Sequence, residues 1–183
     1  MPKKIKSTKT PLEAVITYLQ MQEKPQLPPL LAPTGIKLAL MQVQHPSIAY
    51  YRFLYCTVGK SYHWSDRNEL SDSKLKRIIE HELVEIYVLY VSGSPAGYAE
   101  LDRRFKPEIE LCYFGLIPEF IGRGLGSYFL NWTVRRAWEY QPSRFWVNTN
   151  TLDHPRALPL YQKMGFTPYA QRTVQLSTNT DKK

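Results

Sequence analysis

The sequence lacks the long apolar run that a membrane-spanning helix requires, and it contains few cysteines. No stretch approaches the roughly 18 consecutive apolar residues of a membrane span. The two cysteines, Cys56 and Cys112, form no Cys-x-x-Cys pair and have no histidine at metal-ligand spacing, which argues against a disulfide framework or a metal site. The lysines near the start precede no apolar segment, so they do not form a signal peptide. These absences predict a cytoplasmic protein with reduced thiols, no metal and no membrane partner.

Excess charge is also scarce in the body of the chain. The net charge is +8, but +5 of it comes from the two ends, from Lys3, Lys4, Lys6, Lys9, Lys182 and Lys183 less Asp181. The remaining +3 is too little to predict a nucleic-acid partner. A mild positive bias does suit a small anionic ligand. The length of 183 residues and the hydrophobic content of 43% are those of one globular domain with a substantial core.

The chain divides into three parts. Residues 1–34 are interpreted as an N-terminal extension that ends in an extended, proline-rich connector with Pro25, Pro28, Pro29 and Pro33. Residues 35–176 form the main domain. Residues 177–183 are polar, and we expect a disordered tail there.

Within the extension, residues 1–10 are expected to form a loose arm, and the segment after them is ambiguous. Thr10 and Glu13 have capping-box spacing, which favours a helix, whereas the run Val15–Tyr18 favours a strand. We favour a short strand that lies on the main domain as an extension of it.

Hydrophobic periodicity predicts the order strand, helix, helix, three strands, helix, strand, helix, strand for the main domain. Strands are expected at 35–43, 84–91, 96–105, 108–117, 144–149 and 167–176. Helices are expected from Ile48 to Gly59, after Ser71, after Gly126, and from near Arg156, with a polar-aromatic loop at 60–69. Pro159 must then lie in the first turn of the last helix, because proline further inside a helix costs about 3 kcal/mol.

The most informative stretch joins the strand at 108–117 to the helix that follows it. Between them lies Gly122-Arg123-Gly124-Leu125-Gly126-Ser127. Glycines followed by a helix start predict a phosphate-binding turn. A P-loop would need Lys and Ser or Thr directly after the last glycine, and a dinucleotide fingerprint would need Gly-x-Gly-x-x-Gly, so both of these motifs fail.

The turn resembles the acetyl-CoA loop of the GNAT N-acetyltransferases, Gln/Arg-x-x-Gly-x-Gly/Ala, although Ile121 replaces the usual Gln or Arg. A second stretch is similar to the late GNAT motif Asn-x-x-Ala-x-x-Leu-Tyr-x-Lys-x-Gly-Phe, and it matches at Ala157, Leu160, Tyr161, Lys163, Gly165 and Phe166. His154 stands where that motif has Asn. The resemblance covers roughly residues 35–176. It implies an α/β (α+β) GNAT fold, in which a mixed, mostly antiparallel sheet has helices on both faces.

The resemblance implies acetyl-CoA as the cosubstrate and assigns residues to it. The pantetheine would pair with the backbone at Leu116 and Ile117, and the pyrophosphate would take the amides from Gly122 to Ser127, including those of Arg123, Gly124, Leu125 and Gly126. His154 is expected to cap the late helix or contact CoA. The alternative is that the glycines form a tight turn with no ligand.

The resemblance assigns the proton donor to Tyr161, which would protonate the departing CoA thiolate. The competing interpretation is packing, because Tyr161 lies on an apolar face of the late helix. For the general base we expect Glu110 or Glu100, with Glu108 a poorer candidate. Glu110 alternates with Cys112 and Phe114 and is expected on the same strand face as they are. Alternatively, Glu110 pairs with Arg103 or Arg104, and an ordered water takes the proton.

The polar-aromatic loop supplies the predicted acceptor site, with His63, Trp64 and Arg67 as substrate-binding residues. Tyr62 and Trp64 could equally cover the core. The favoured function is N-acetyl transfer from acetyl-CoA to a primary amine of a small molecule. The alternatives are a protein lysine or N-terminal acetyltransferase, and a non-catalytic module that binds CoA. Many members of the resembled family are dimers, so a homodimer is one assembly that we consider.

Overall fold

A computed structural model describes residues 12–176. Its centre is a seven-stranded sheet with the strand order β2-β3-β4-β5-β6-β1-β7. The strands are β1 (Leu12–Met21), β2 (Leu38–Gln42), β3 (Val84–Val91), β4 (Ser94–Asp102), β5 (Glu108–Leu116), β6 (Arg144–Asn150) and β7 (Thr167–Leu176). The helices are α1 (Ile48–Gly59), α2 (Asp66–Glu69), α3 (Asp72–Ile79), α4 (Leu125–Trp138) and α5 (Ala157–Lys163). All neighbouring strands pair antiparallel except β5 and β6, which are parallel.

This architecture confirms the predicted fold class. The apolar face predicted for the helix after Gly126 is buried in α4 at Phe129, Leu130, Thr133, Val134, Ala137 and Trp138. Helix α5 begins at Ala157 with Arg156 as its N-cap residue. Pro159 therefore lies in the first turn, where its missing N–H leaves no helical hydrogen bond unmade.

Two apolar clusters cover the two faces of the sheet. The larger one packs α4 and α5 against strands from β1 and β3 to β6, with Phe129, Phe145 and Phe166 fully buried in it. The smaller one packs α1 and α3 against β3 to β5, around Tyr51 and Tyr98. No residue of β6, β1 or β7 belongs to the smaller cluster. Within residues 12–176, helices therefore cover that half of the sheet on one face only.

Strand β1 is the largest departure from the sequence expectation. The segment is a strand, but it is an interior member of the sheet, paired with β6 on one side and β7 on the other. Ala14, Thr17, Leu19 and Met21 are buried, and the last three alternate along the strand. Strand pairing is a long-range property, which the local pattern of this segment does not contain. The expected arm at 1–10 and tail at 177–183 lie outside the described residues.

The proline-rich connector leads from β1 to β2 along helix α4. Buried Asn131 fixes it there, because its side chain accepts the N–H of Leu30 and donates to the carbonyl oxygen of Pro28, both at 3.1 Å. The extension and the main domain thus share one sheet and one core.

A β-bulge interrupts β5 and changes which side chains share a face. Leu101 pairs with Leu111, but its neighbour Glu100 pairs with Tyr113, so Cys112 is an extra residue. Phe114 consequently packs in the larger cluster and Tyr113 in the smaller one. The predicted alternation of Glu110, Cys112 and Phe114 on one face is therefore wrong.

Candidate active site

The candidate site lies where the two parallel strands separate. β5 and β6 pair only over Glu108–Leu111 and Arg144–Val147, whereas β5 pairs with β4 as far as Leu116. Beyond Leu111, the edge of β5 that faces β6 therefore has backbone groups without a strand partner. A cavity of about 700 Å³ includes this gap.

The turn between β5 and α4 forms one wall of the cavity. Gly122 and Gly124 have φ angles of 86° and 76°, a conformation that is strained for residues with a side chain. Gly124 is the N-cap residue of α4, so the amides of Leu125, Gly126 and Ser127 have no acceptor within the helix. These amides and the positive end of the helix dipole form a cradle that fits a pyrophosphate.

Three residues predicted to bind the cofactor do not line the cavity. The N–H of Ile117 donates to the carbonyl oxygen of Ala96 at 2.8 Å, so it is not free to pair with pantetheine. The side chain of Leu125 is buried in the core, which leaves only its amide for a ligand. The guanidinium of Arg123 lies over the ring of Phe120, 5.3 Å from the ring centroid.

The remaining predicted cofactor residues do line the cavity. Leu116 contributes from the end of β5, and Gly122, Gly124, Gly126 and Ser127 contribute from the glycine turn. His154 and Tyr161 contribute from the other side of the gap. The Nδ1 atom of His154 accepts the amide N–H of Arg156 at 3.1 Å. This bond lies in the turn before α5, whose N-cap residue is Arg156, so His154 does not cap the helix itself.

Tyr161 reaches the cavity from α5. It is only 6% exposed, and its ring packs edge-on against Phe114 and Phe166 at centroid distances of 6.4 and 5.8 Å. Burial, assisted by the negative charge of Asp153, raises the pKa of its phenol. The hydroxyl therefore keeps its proton at neutral pH, as a proton donor must.

Glu110 lines the cavity from β5. The two arginines considered as its partners are engaged elsewhere, Arg103 with Glu85 at 2.9 Å and Arg104 with Asp102 at 2.6 Å. Within residues 12–176, Glu110 forms no ion pair. Burial first, and then the negative charge of Asp102, raises the pKa of its carboxyl to about 7. A carboxyl group with this pKa suits proton acceptance near neutral pH.

Glu100, the second candidate base, has a different position. It is fully buried and does not line the cavity. One carboxylate oxygen accepts from Nη2 of Arg67 and the other from the hydroxyl of Tyr51, both at 2.5 Å. Nε of Arg67 also donates to the Tyr51 hydroxyl, at 3.1 Å. These contacts make Glu100 a weaker candidate base than Glu110, and they make it the anchor that holds Arg67 at the cavity wall.

The predicted acceptor loop, residues 60–69, is more ordered than expected, because it contains a 3-10 turn at Lys60–Tyr62 and helix α2. His63, Trp64 and Arg67 all line the cavity. The ring of Trp64 packs over Gly59, where a Cβ would lie 2.5 Å from it. Trp64 also contacts Tyr113 at a centroid distance of 5.1 Å. Trp64 thus covers the smaller core cluster and forms the cavity wall at the same time.

Asp153 is a site residue that the sequence interpretation missed. Its carboxylate accepts from the hydroxyl of Thr149 at 2.7 Å, the amide of Asn150 at 2.9 Å and Nε1 of Trp64 at 3.3 Å. It therefore joins the acceptor loop to the turn before α5. The local signal was an aspartate in the turn before a helix, where its side chain commonly accepts backbone N–H groups.

Asp102 is the second residue that was missed. It lies directly opposite Glu110 on the neighbouring strand and lines the same cavity. Two facing carboxyl groups disfavour a second negative charge, which contributes to the raised pKa of Glu110. The hairpin that joins β4 to β5 brings them together, because their pairing lies on its side of the bulge at Cys112.

Residues 12–176 contain no group of three or more His, Cys, Asp or Glu side chains arranged to hold a metal ion. In the same part of the chain, no helix has the length and apolar character needed to cross a membrane.

Comparison with protein families supports the resemblance noted in the sequence. The model of the acetyltransferase (GNAT) family matches residues 49–166, which include the acceptor loop, the glycine turn and Tyr161. No curated protein sequence matches the chain significantly.

Solved structures share the fold at low sequence identity. A GCN5-related N-acetyltransferase from Kribbella flavida is 16% identical with a TM-score of 0.59, over 87% of this chain and 56% of that one. A Bacillus subtilis acetyltransferase in complex with CoA is 19% identical with a TM-score of 0.54, over 73% and 79%. An aminoglycoside acetyltransferase from an uncultured soil metagenomic sample is 14% identical with a TM-score of 0.57, over 79% and 97%. The chain spans only 50–63% of the length of four of the solved structures that it matches, including the one from Kribbella flavida.

Proposed function

The chain belongs to the acetyltransferase (GNAT) family, and from this premise we propose that it transfers an acetyl group from acetyl-CoA to a primary amine of a small molecule. The observation that carries the proposal is the pairing of two groups at one cavity. Glu110, without an ion pair among the described residues and with a pKa of about 7, shares the cavity with Tyr161, whose phenol stays protonated. Glu110 is suited to act as the base that deprotonates the amine, and Tyr161 as the acid that protonates the leaving thiolate.

The cofactor is proposed to bind along the gap between β5 and β6. The amides of Leu125, Gly126 and Ser127 would hold the pyrophosphate at the positive end of α4. The unpaired edge of β5 up to Leu116 would hold the pantetheine through its backbone. Acetyl-CoA supplies the acyl group as a thioester, and the protein positions it and manages the protons.

Two proton transfers are assigned to side chains of this chain. Glu110 accepts the proton that the acceptor ammonium must lose before its nitrogen becomes a nucleophile. Tyr161 donates a proton toward the sulfur of the leaving group, or stabilises it by a hydrogen bond. Because a phenol and a thiol have ordinary pKa values of about 10 and 8.5, this donation is only slightly uphill.

The size and lining of the cavity support a small acceptor. About 700 Å³ lies within the range of pockets that bind small molecules, and part of it must hold the cofactor. Trp64 and Tyr113 offer aromatic surface, and Arg67 and Glu110 offer polar groups. Among structurally similar proteins are two aminoglycoside acetyltransferases from soil metagenomic samples, which are consistent with an amine acceptor.

The proposal is tested in two steps. Calorimetric titration with acetyl-CoA should show binding, and CoA release should then be followed spectrophotometrically over a panel of small primary amines, with lysine-containing peptides in parallel. Turnover with a small amine supports the proposal. Binding without turnover over the whole panel would instead identify a CoA-binding module, and turnover with peptides alone would identify a protein acetyltransferase.

A further inference from the structure

Arg67 is held at the cavity wall by one edge of its guanidinium, and the other edge is unused. Nε donates to the hydroxyl of Tyr51 at 3.1 Å, and Nη2 donates to the buried carboxylate of Glu100 at 2.5 Å. These two donors lie on the same edge of the planar group. The opposite edge consists of Nη1 and the second N–H of Nη2. Among residues 12–176, Nη1 has no hydrogen-bond partner, because the bonds that this side chain donates are those to Tyr51 and Glu100.

The unused edge is accessible from the cavity. Arg67 lines the cavity together with Tyr113, and its guanidinium lies 5.1 Å from the centroid of the Tyr113 ring. Within residues 12–176, no atom of Arg67 is among the buried polar side-chain atoms that lack a hydrogen-bond partner. Nη1 is therefore open to a ligand rather than sealed in the core. Two parallel N–H groups on one guanidinium edge have the geometry that binds a carboxylate through two hydrogen bonds.

The ion pair of Arg67 with Glu100 fixes the orientation of the guanidinium. Burial removes water from both charges, and this cost commonly offsets their mutual attraction, so the pair adds little net stability. Tyr51 holds the same guanidinium through Nε, which leaves the side chain one orientation. A ligand that binds the free edge therefore costs little additional side-chain entropy. These are the contacts of a preorganised binding group.

Glu110 lies on the same face of the sheet as the anchor of this arginine. Direct partners on antiparallel strands share a face, and so do residues two apart in one strand. Glu100 of β4 pairs with Tyr113. Asp102, two residues further along β4, pairs with Glu110. The row that carries Arg67 and the row of Glu110 are therefore about 7 Å apart at 3.4 Å per residue, a spacing that a small amino acid can bridge.

The other charges of the cavity restrict the kind of acceptor. Arg104 is paired with Asp102. Besides Glu110, three charged side chains line the cavity without an ion pair to any residue between 12 and 176: Asp66, Asp153 and Arg156. The unpaired charges are thus mostly negative, and they repel a molecule that is only anionic. A carboxylate is accepted here when the same molecule carries an ammonium group that lies at Glu110.

We propose that the acceptor is an amino-acid-like molecule, whose carboxylate binds the free edge of the Arg67 guanidinium while its amine faces Glu110. The inference deepens the proposed function by naming the class of the acceptor. It rests on that function, because the amine is acetylated by the chemistry assigned to Glu110 and Tyr161.

The transfer requires no further reactant. Glu110 takes one proton from the ammonium, and the neutral nitrogen attacks the thioester carbonyl carbon. A nitrogen–carbon bond forms and the carbon–sulfur bond breaks. Sulfur leaves with the proton of Tyr161, and the second proton lost by nitrogen restores the phenol. The products are an N-acetylated amino acid, CoA thiol and one released proton. The acetylated product has lost its ammonium and is only anionic, so the negative charges beside it favour its release.

Pairs of matched acceptors test the proposal. Glycine, phenylalanine, β-alanine and 4-aminobutyrate are each compared with their own carboxamide, which keeps the size and shape of the acid but has no negative charge. We expect kcat/KM for the best acid to exceed that for its carboxamide by about 10–100-fold, the usual effect of hydrogen bonds to a charged group. Calorimetric titration of the same pair into the CoA-bound protein should show the same preference without any chemistry.

Substitution of Arg67 should abolish this preference. Arg67→Lys keeps a positive charge beside Glu100 but removes the planar fork. The double variant Arg67→Gln, Glu100→Gln removes both charges, so it leaves none of them buried alone. In both proteins the ratio of the kcat/KM values for acid and carboxamide should fall close to parity. This ratio does not depend on the fraction of folded enzyme, so a loss of stability does not affect it. Arg104→Gln and Arg156→Gln are the matched controls and should keep the wild-type ratio.

The outcomes separate this inference from the proposed function. An enzyme that acetylates the carboxamides, or diamines of similar length, as fast as the amino acids would overturn the inference and leave the proposed function intact. A preference that survives in both Arg67 variants, or that disappears in Arg104→Gln or Arg156→Gln instead, would overturn it as well. No acetyl transfer to any compound of the panel would refute the proposed function itself, and this inference with it.

Discussion

Replacement of Glu110 by glutamine should produce two opposite effects, a large loss of turnover and a gain in stability. The carboxyl lines the cavity without an ion pair to any described residue, and burial together with Asp102 raises its pKa from 4.5 to about 7. Glutamine keeps the shape of the side chain but cannot accept a proton. We therefore expect kcat to fall by about 10²–10⁴, the usual contribution of a positioned acid or base.

The gain in stability follows from the same pKa. Between pH 4.5 and about 7, the folded protein holds the Glu110 proton that the unfolded chain has already lost. Stability therefore falls as the pH rises through this range, and the cost of ionising Glu110 reaches about 3 kcal/mol above pH 7. Glu110→Gln removes this cost. Its advantage should be absent below about pH 4.5 and complete above about pH 7.

Denaturant unfolding at pH 4.5 and pH 8 measures the stability effect, and CoA release with the best amine of the panel measures kcat. Glu108→Gln is the matched control on the same strand. Glu108 forms an ion pair of 2.6 Å with Arg144 and does not line the cavity. Loss of this ion pair should leave kcat unchanged and lower the free energy of unfolding by at most about 1 kcal/mol, because the pair is partly exposed.

The reasoning about Glu110 would be refuted by a glutamine variant that keeps wild-type kcat, since the proton must then leave through water. In wild type, kcat/KM should also fall below about pH 7 as Glu110 is protonated, and this limb should disappear in the variant. An unchanged pH profile would likewise remove Glu110 from the reaction.

Three further predictions concern other parts of the site. Tyr161→Phe keeps the ring packing but removes the proton, so kcat should fall by about 10²–10⁴ while thermal unfolding stays close to wild type; full turnover would make Tyr161 a packing residue. Gly126→Val should weaken acetyl-CoA binding about tenfold or more in calorimetry without unfolding the protein, because a Cβ at Gly126 meets its neighbours at 3.8 Å and adds bulk beside the amide cradle. Gly124 is a poorer position for this test, since its φ of 76° strains any substitution. Glu100→Gln should destabilise the fold by about 3–5 kcal/mol, because it leaves the charge of Arg67 without its buried partner; a normal melting temperature with lost turnover would restore Glu100 as a base.

Much of the fold follows from local patterns in the sequence. The apolar face of α4, the end of α1 at Gly59 and the position of Pro159 in the first turn of α5 each depend on residues close together in the chain. The glycine turn was predictable for the same reason, because positive φ angles and free helix amides are local consequences of Gly122, Gly124 and the helix start. These are the features that the structure reproduces.

Other features depend on contacts between distant residues, and the sequence pattern does not contain them. The insertion of β1 between β6 and β7 requires pairing across more than 120 residues. The ion pair of Glu100 with Arg67 joins β4 to the acceptor loop. A carboxylate on a strand can be recognised as costly from sequence, but whether it has a partner depends on the fold.

The bulge at Cys112 and the separation of β5 from β6 together explain why the site lies at this point of the sheet. A regular β5 would place Tyr113 on the same face as Leu111, away from Trp64. The bulge instead turns Tyr113 toward the acceptor loop, where it contacts Trp64, and leaves Phe114 packed beside Tyr161. Separation of the strands after Leu111 frees the backbone edge of β5 at the same level. The contact with the acceptor loop, the contact with Tyr161 and the unpaired backbone edge therefore lie within three residues of β5. An insertion or deletion at Cys112 should consequently damage acetyl transfer more than its distance from the glycine turn would indicate.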